Sequence, residues 1–283
     1  MKLGMYSIEI QRPTTKGLFA AIKEAGFSHV QFDFSSVCDE QMPLRIEPGL
    51  LADVSSQAER HGVEITAVNG TFNMIHPDKA ERESGYARFA TVAAASRDLN
   101  CDFVTLCTGS RNTKSMWAWH EDNLAPSAWE DLLKSMEKVL EQAERYDLVL
   151  GIECEPSNSV NSPEKARELM DIFQTPRLKI IMDIANLFQV GQARQENVRP
   201  IMDHAFELLG KDIYIAHGKD IKAGDGLQYT HAGNGIVDFA YFLDKLDQVG
   251  YPGGMILHGI KHERDFPESV AFVVDAIAKH KNR

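Results

Sequence analysis

The sequence predicts a single-domain (β/α)8 barrel, the TIM-barrel arrangement, over residues 1–283. Two observations carry that reading. Short apolar runs alternate with helical stretches from end to end, and no shift in composition marks a linker. Eight such units in about 280 residues match this fold. Several of the runs also stop at a residue able to do chemistry, as happens at the carboxyl ends of buried parallel strands. A doubly wound open sheet is the alternative, because alternation alone does not show closure.

Taken in order, Lys2 to Ser7 reads as a first strand and Gly17 to Ala25 as a helix closed by Gly26 in the position after the cap. His29 to Phe34 is a second strand. Pro48 to Arg60 is a helix opened by its proline and ended by His61-Gly62. Val63 to Val68 is strand three, and Glu81 to Leu99 a long helix. Asp102 to Cys107 is strand four, broken by Thr108-Gly109-Ser110, and Ser127 to Tyr146 the helix after it. Strand five ends at Glu153, and Ser162 caps the helix that runs to Phe173. Strand six ends at Asp183. Val198 to Leu209 is helical, with Pro200 placing the regular part from that residue on. Ile213 to Ala216 is strand seven, ending at His217; Phe239 to Val249 is a helix; Gly254 to Leu257 is strand eight, ending at His258; Pro267 to Lys279 is the last helix. The longest connections follow strands four and seven, and connections of that length often form lids or binding loops.

The bulk numbers bound the partners. Hydrophobic residues make up 43% and charged ones 25%, enough for a large core and against disorder. A formal charge of -11 disfavours nucleic acid, whose binding rests on Lys and Arg against phosphates. Cys38, Cys101, Cys107 and Cys154 form no CxxC pair, which fits a reducing, cytoplasmic setting. The start lacks the apolar core of a signal peptide, and no run is long enough for a membrane span.

Four successive strands thus end in Glu153, Asp183, His217 and His258. In a closed barrel these converge on one mouth, and two carboxylates with two imidazoles suit one divalent ion such as Mn, Zn, Co or Mg. Taken singly, each has a plainer reading as a helix cap, a surface ion pair or a satisfied polar residue. Glu155, two residues after Glu153, points to the same side of an extended backbone. One of the two can bind the metal while the other serves as acid, base or support; the apolar run ends at Glu153, which favours it as the ligand and leaves Glu155 as the candidate acid or base, with a loop ion pair as the competing reading for Glu155. Lys219 is a candidate to polarise a carbonyl oxygen; its alternative is an ion pair with Asp220. His258 can also act as a base, since its ordinary pKa is near neutral. The loops add candidates for the substrate. His76 follows strand three, and Arg111, Trp117 and His120 follow strand four. An indole stacks on a sugar face, imidazoles bond hydroxyls, and a guanidinium holds a carboxylate or phosphate. The two indoles of that loop, at 117 and 119, read equally well as packing for the loop or for a second subunit.

The ordered series Gly151-Ile-Glu153 with Pro156 and Asn158, Met182-Asp183-Ile-Ala-Asn186, Ala216-His217-Gly-Lys219-Asp220 and Gly250-Tyr251-Pro-Gly253 resembles the xylose-isomerase-like barrel superfamily, in particular its sugar isomerase and epimerase branch. The resemblance covers nearly the whole chain. It implies a metal held by the acid ending strand five, the Asp of strand six, the His before Lys-Asp on strand seven and a Glu ending strand eight. These fall on Glu153, Asp183, His217 and the position of His258. Two departures stand out. The strand-eight Glu, which with the strand-five Glu shuttles a proton in the epimerases, is His258. The family's Asp-x-x-His on strand six is Asp183-Ile-Ala-Asn186, and Asn186 bonds a hydroxyl without contributing charge. The expected activity is metal-dependent isomerisation or epimerisation of a sugar, keto-sugar or polyol, in a possible homo-oligomer suggested by the aromatic loop. Alternatives are dehydration of a keto-polyol, sugar binding without catalysis, and phosphodiester hydrolysis like that of endonuclease IV, which the net charge argues against.

Overall fold

The apolar runs do pair side by side. The computed structural model describes residues 1–282. Among them the strands are β1 (Leu3–Tyr6), β2 (His29–Phe32), β3 (Glu64–Asn69), β4 (Phe103–Leu106), β5 (Val149–Glu153), β6 (Leu178–Asp183), β7 (Ile213–Ile221), β8 (Tyr229–His231) and β9 (Met255–Leu257). The helices are α1 (Thr15–Glu24), α2 (Pro48–His61), α3 (Lys79–Asp98), α4 (Pro126–Tyr146), α5 (Pro163–Phe173), α6 (Val198–Leu209), α7 (Phe239–Gln248) and α8 (Phe266–Lys281). Strands β1 to β6 pair in sequence, β1 also pairs with β9, β9 with β7, and β7 with β6. All these pairings are parallel. The ring therefore closes, and the chain is a (β/α)8 barrel, as its alternation predicts.

The helix ends follow local chemistry. Gly26 adopts φ +93 just past α1. Asp78 Oδ1 accepts the Ala80 N–H at 2.8 Å to start α3, and Ser162 Oγ accepts the Lys165 N–H to start α5. Helix α6 begins at Val198 and takes Pro200 into its first turn. This corrects the later start expected from the proline, whose missing N–H has no helical partner to lose there.

Inside the ring, alternate residues of each strand point to the axis. Ala67, Phe103, Ile181, Ile215 and Ile256 form a small separate core there. Phe103 has room because Gly151 faces it: a Cβ on Gly151 would lie 2.2 Å from the phenyl ring. One inward step further up stand Glu153, Asp183, His217 and His258. The apolar plug is thus the floor on which the polar cluster rests.

Strand seven differs from expectation. It does not stop at His217 but runs on to Ile221, where β8 pairs with it antiparallel. The hairpin supplies partners for backbone that would otherwise be exposed, so Lys219 and Asp220 are carried on a strand and buried. Among the described residues, no helix is long and apolar enough to cross a membrane.

Candidate metal centre

Strand register brings the predicted residues together. Asp183 pairs with His217 across β6 and β7, and Gly218 pairs with Leu257 just before His258. Glu153, Asp183, His217 and His258 each offer one ligand atom, all within 4.8 Å of one another. Asp183 is wholly buried and central. Its Oδ2 lies 3.1 Å from Lys219 Nζ and 3.2 Å from His258 Nε2, while Oδ1 accepts the Ala185 N–H at 2.9 Å. Burial alone would raise its pKa. Lys219, His217 and His258 outweigh that and hold the carboxyl well below the ordinary range.

His217 tests whether a cation fits. Its Nε2 lies 2.9 Å from Gln31 Oε1, an oxygen that accepts, so this nitrogen carries the proton. The other nitrogen, Nδ1, is buried and has no hydrogen-bond partner among the described residues. It faces Glu153 Oε1 at 3.6 Å and Asp183 Oδ2 at 3.8 Å. A lone pair aimed between two carboxylates is repulsive unless positive charge lies between them. Burial opposes protonation of this ring, yet the two acids prevail and bring it up to about 9. The site is therefore built for positive charge, and two carboxylates with two imidazoles fit a divalent ion. Replacing Gln31 by Leu is expected to weaken metal affinity roughly 10–100-fold, read by calorimetric titration; an unchanged affinity would show that the ring needs no support from β2.

The remaining polar groups line the same small chamber, about 90 Å³, together with Trp117. A larger groove of about 730 Å³ between α2 and α3 is remote from this chemistry. Glu155 sits on the turn after β5, where its N–H meets the Val160 carbonyl and Ser157 Oγ donates to its Oε1 at 3.2 Å. Burial pushes its carboxyl up to about 7, with Lys219 pulling down and Glu153 and Asp183 pushing up. Lys219 does not pair with Asp220. It reaches Asp183, donates to Asn186 Oδ1 at 2.6 Å and lies over the Tyr229 ring. Asn186 in turn donates to Glu153 Oε1 at 2.6 Å. Asp220 instead accepts the N–H groups of Ile221, Gly233, Gly235 and Val237, which pins that loop to the barrel.

Three substrate candidates lie elsewhere. Arg111 is buried and donates to the Ile75 carbonyl and to Asp131, each at 2.8 Å. Two of its N–H groups are thus engaged, and it lies outside the chamber lining. His76 Nδ1 accepts the Asp78 N–H, and His120 Nδ1 accepts the Asp122 N–H. Both imidazoles serve local turns outside the chamber lining. Trp117 does line the chamber while 52% exposed, and Trp119 is 45% exposed.

The opposite wall escaped sequence reasoning. Asp33 is buried, and its Oδ2 accepts from Tyr6 at 2.8 Å and from Gln41 and Asn69 at 2.9 Å each. All three donors line the chamber. The signal available was the Asp33 that follows β2, the same pattern of a run ending in an acid that marked Glu153.

Comparisons with known proteins agree with the architecture. The model of the family described as xylose isomerase-like TIM barrel matches residues 19–276. A D-tagatose 3-epimerase-like protein superposes with a TM-score of 0.79 at 19% identity, covering 100% of this chain and 99% of that one. A 3-keto-D-glucoside 4-epimerase from E. coli gives 0.72 at 16% identity, covering all of both chains. An IOLI protein solved with a zinc atom gives 0.75 at 15% identity over 99% of each chain. No curated protein matches the chain in sequence.

Proposed function

The chain belongs to the xylose isomerase-like TIM barrels, and from that premise we propose that it is a divalent-metal-dependent isomerase or epimerase of a small sugar, keto-sugar or polyol. One observation carries the reading: a further, half-buried acid, Glu155, stands beside the four-residue cluster, in the same chamber and near Lys219. That two of the similar structures bear epimerase names and another holds zinc supports it.

Glu153, Asp183, His217 and His258 would hold the ion. When bound, a divalent ion supplies Lewis acidity that polarises a carbonyl and makes the neighbouring C–H more acidic. Glu155 takes that proton. The electron pair moves towards the carbonyl oxygen, where the Lys219 ammonium is placed to balance the charge. Returning the proton to the former carbonyl carbon, while the neighbouring hydroxyl's proton passes to the former carbonyl oxygen, gives an isomer; an epimer needs a second acid that delivers a proton to the first carbon from the face opposite Glu155. Tyr6, Gln41 and Asn69, oriented by Asp33, offer polar atoms to the substrate hydroxyls. Trp117 covers the entrance and can stack on a sugar face.

The test is metal analysis by mass spectrometry on the purified protein, followed by a keto-sugar panel. Stoichiometric metal in the wild type and its loss in Glu153→Gln is the expected result. Metal retained by that variant would remove Glu153 from the ligand set, and a metal-loaded protein inert across the panel would count against catalysis.

A further inference from the structure

Asp33 stands behind the wall that Tyr6, Gln41 and Asn69 present to the chamber. It follows β2, is fully buried and does not itself line the chamber. Its Oδ1 accepts the N–H and the hydroxyl hydrogen of Ser35. Its Oδ2 accepts from Tyr6 Oη at 2.8 Å and from Gln41 Nε2 and Asn69 Nδ2 at 2.9 Å each. A carboxylate only accepts, so each neighbour turns a hydrogen towards it.

The atoms these neighbours have left decide what the wall offers. Tyr6 spends its one hydroxyl hydrogen on Asp33, so its oxygen meets a ligand as an acceptor. Gln41 Nε2 meets Asp33 and, at 3.3 Å, Tyr6 Oη. With the amide nitrogen turned inward, Gln41 Oε1 is the atom offered to the chamber. Asn69 passes the arrangement on. With its nitrogen on Asp33, its Oδ1 takes the Thr105 hydroxyl hydrogen at 3.2 Å, and Thr105 Oγ1 keeps only lone pairs. The loop that carries Gln41 is fastened to α3, where Arg88 and Thr91 donate to the Met42 and Leu44 carbonyls at 2.7 and 2.9 Å. The Lys219 ammonium stands elsewhere in the chamber, against Asp183 and Asn186.

We infer that Asp33 is a specificity-determining positioning residue. By drawing to itself the hydrogens of Tyr6, Gln41 and, through Asn69, Thr105, it makes this wall an array of acceptors that takes neutral polyol hydroxyls and turns away carboxylate or phosphate. A hydroxyl brings a hydrogen to such a wall. An ionised phosphate or carboxylate oxygen brings lone pairs alone, and its charge would be desolvated against acceptors. The negative charge of Asp33 acts in the same direction. The substrate is therefore a sugar or polyol with no anionic group at the end lodged here, its carbonyl end lying at the cluster and Lys219. The inference rests on the sugar reading above.

Two experiments on the full-length protein test it. Neutron diffraction from deuterated wild-type crystals locates the hydrogens themselves. The Tyr6 deuteron and the Gln41 amide nitrogen are expected towards Asp33. A Tyr6 deuteron aimed into the chamber, or Gln41 Oε1 turned to Asp33, overturns the proposal without any variant. The second experiment is calorimetric titration of Mn²⁺-loaded protein with D-tagatose and D-fructose, each beside its 6-phosphate. A neutral sugar is expected to bind roughly 10–100-fold tighter than its phosphate. Equal affinity, or tighter binding of the phosphate, overturns the proposal and leaves the sugar reading standing. Asp33→Asn, which keeps the shape but brings an N–H of its own, should narrow the preference roughly tenfold, while a merely structural loss would weaken both ligands alike. A folded variant with the wild-type preference removes Asp33 from the role. Binding of none of the four to metal-loaded wild type refutes the sugar reading instead and takes the substrate half of the inference with it; the neutron result then decides the wall alone.

Discussion

Glu155→Gln is expected to lower kcat on the turned-over sugar roughly 10²–10⁴-fold, the usual worth of a positioned acid or base, with metal content unchanged. The amide has the shape of the acid but cannot take a proton from carbon. Its environment should survive, because Ser157 Oγ can still donate to the remaining oxygen and the 155–160 turn is closed by backbone bonds. Steady-state kinetics beside metal analysis separates two outcomes. A drop in rate with full metal places the proton transfer at Glu155. A loss of metal would move this carboxylate into the ligand set, and full activity would pass its task to another chamber residue.

Asp183→Ala should have the largest effect on stability, about 3–5 kcal/mol, the scale of breaking a buried ion pair and leaving one partner charged. Lys219 loses its 3.1 Å carboxylate, and the Ala185 and Asn186 amides lose their acceptor. Asn186 remains on Lys219 and Glu153, which is why collapse of the whole barrel is not expected. The comparison belongs in denaturant unfolding of chelator-treated proteins, so that metal linkage does not enter the difference. Equal midpoints would show that Lys219 is adequately balanced by Glu153 and Glu155 alone.

What could be read from the chain depended on whether neighbours in sequence decide the structure. Glu153 and Asp183 were visible because each closes an apolar run, and a buried parallel strand is a local pattern. The extent of β7 was not, because Lys219 and Asp220 look like a strand end until β8 pairs with them. Gln31 gave no signal: it meets His217 across 186 positions of sequence, a contact made only by ring closure. Arg111, His76 and His120 show a different limit. Their side-chain types suit a sugar or an anion, but residue type does not reveal that local contacts engage one ring nitrogen of each histidine and two N–H groups of Arg111.

Asp131 has a consequence of its own. Its two oxygens hold Arg82 at 3.2 Å and Arg111 at 2.8 Å, and so fasten the segments after β3 and β4 to α4. The same carboxylate silences two guanidinium groups. Loss of this one acid would leave two largely buried guanidinium groups without their shared carboxylate, so a single substitution would loosen the anchoring of both segments together.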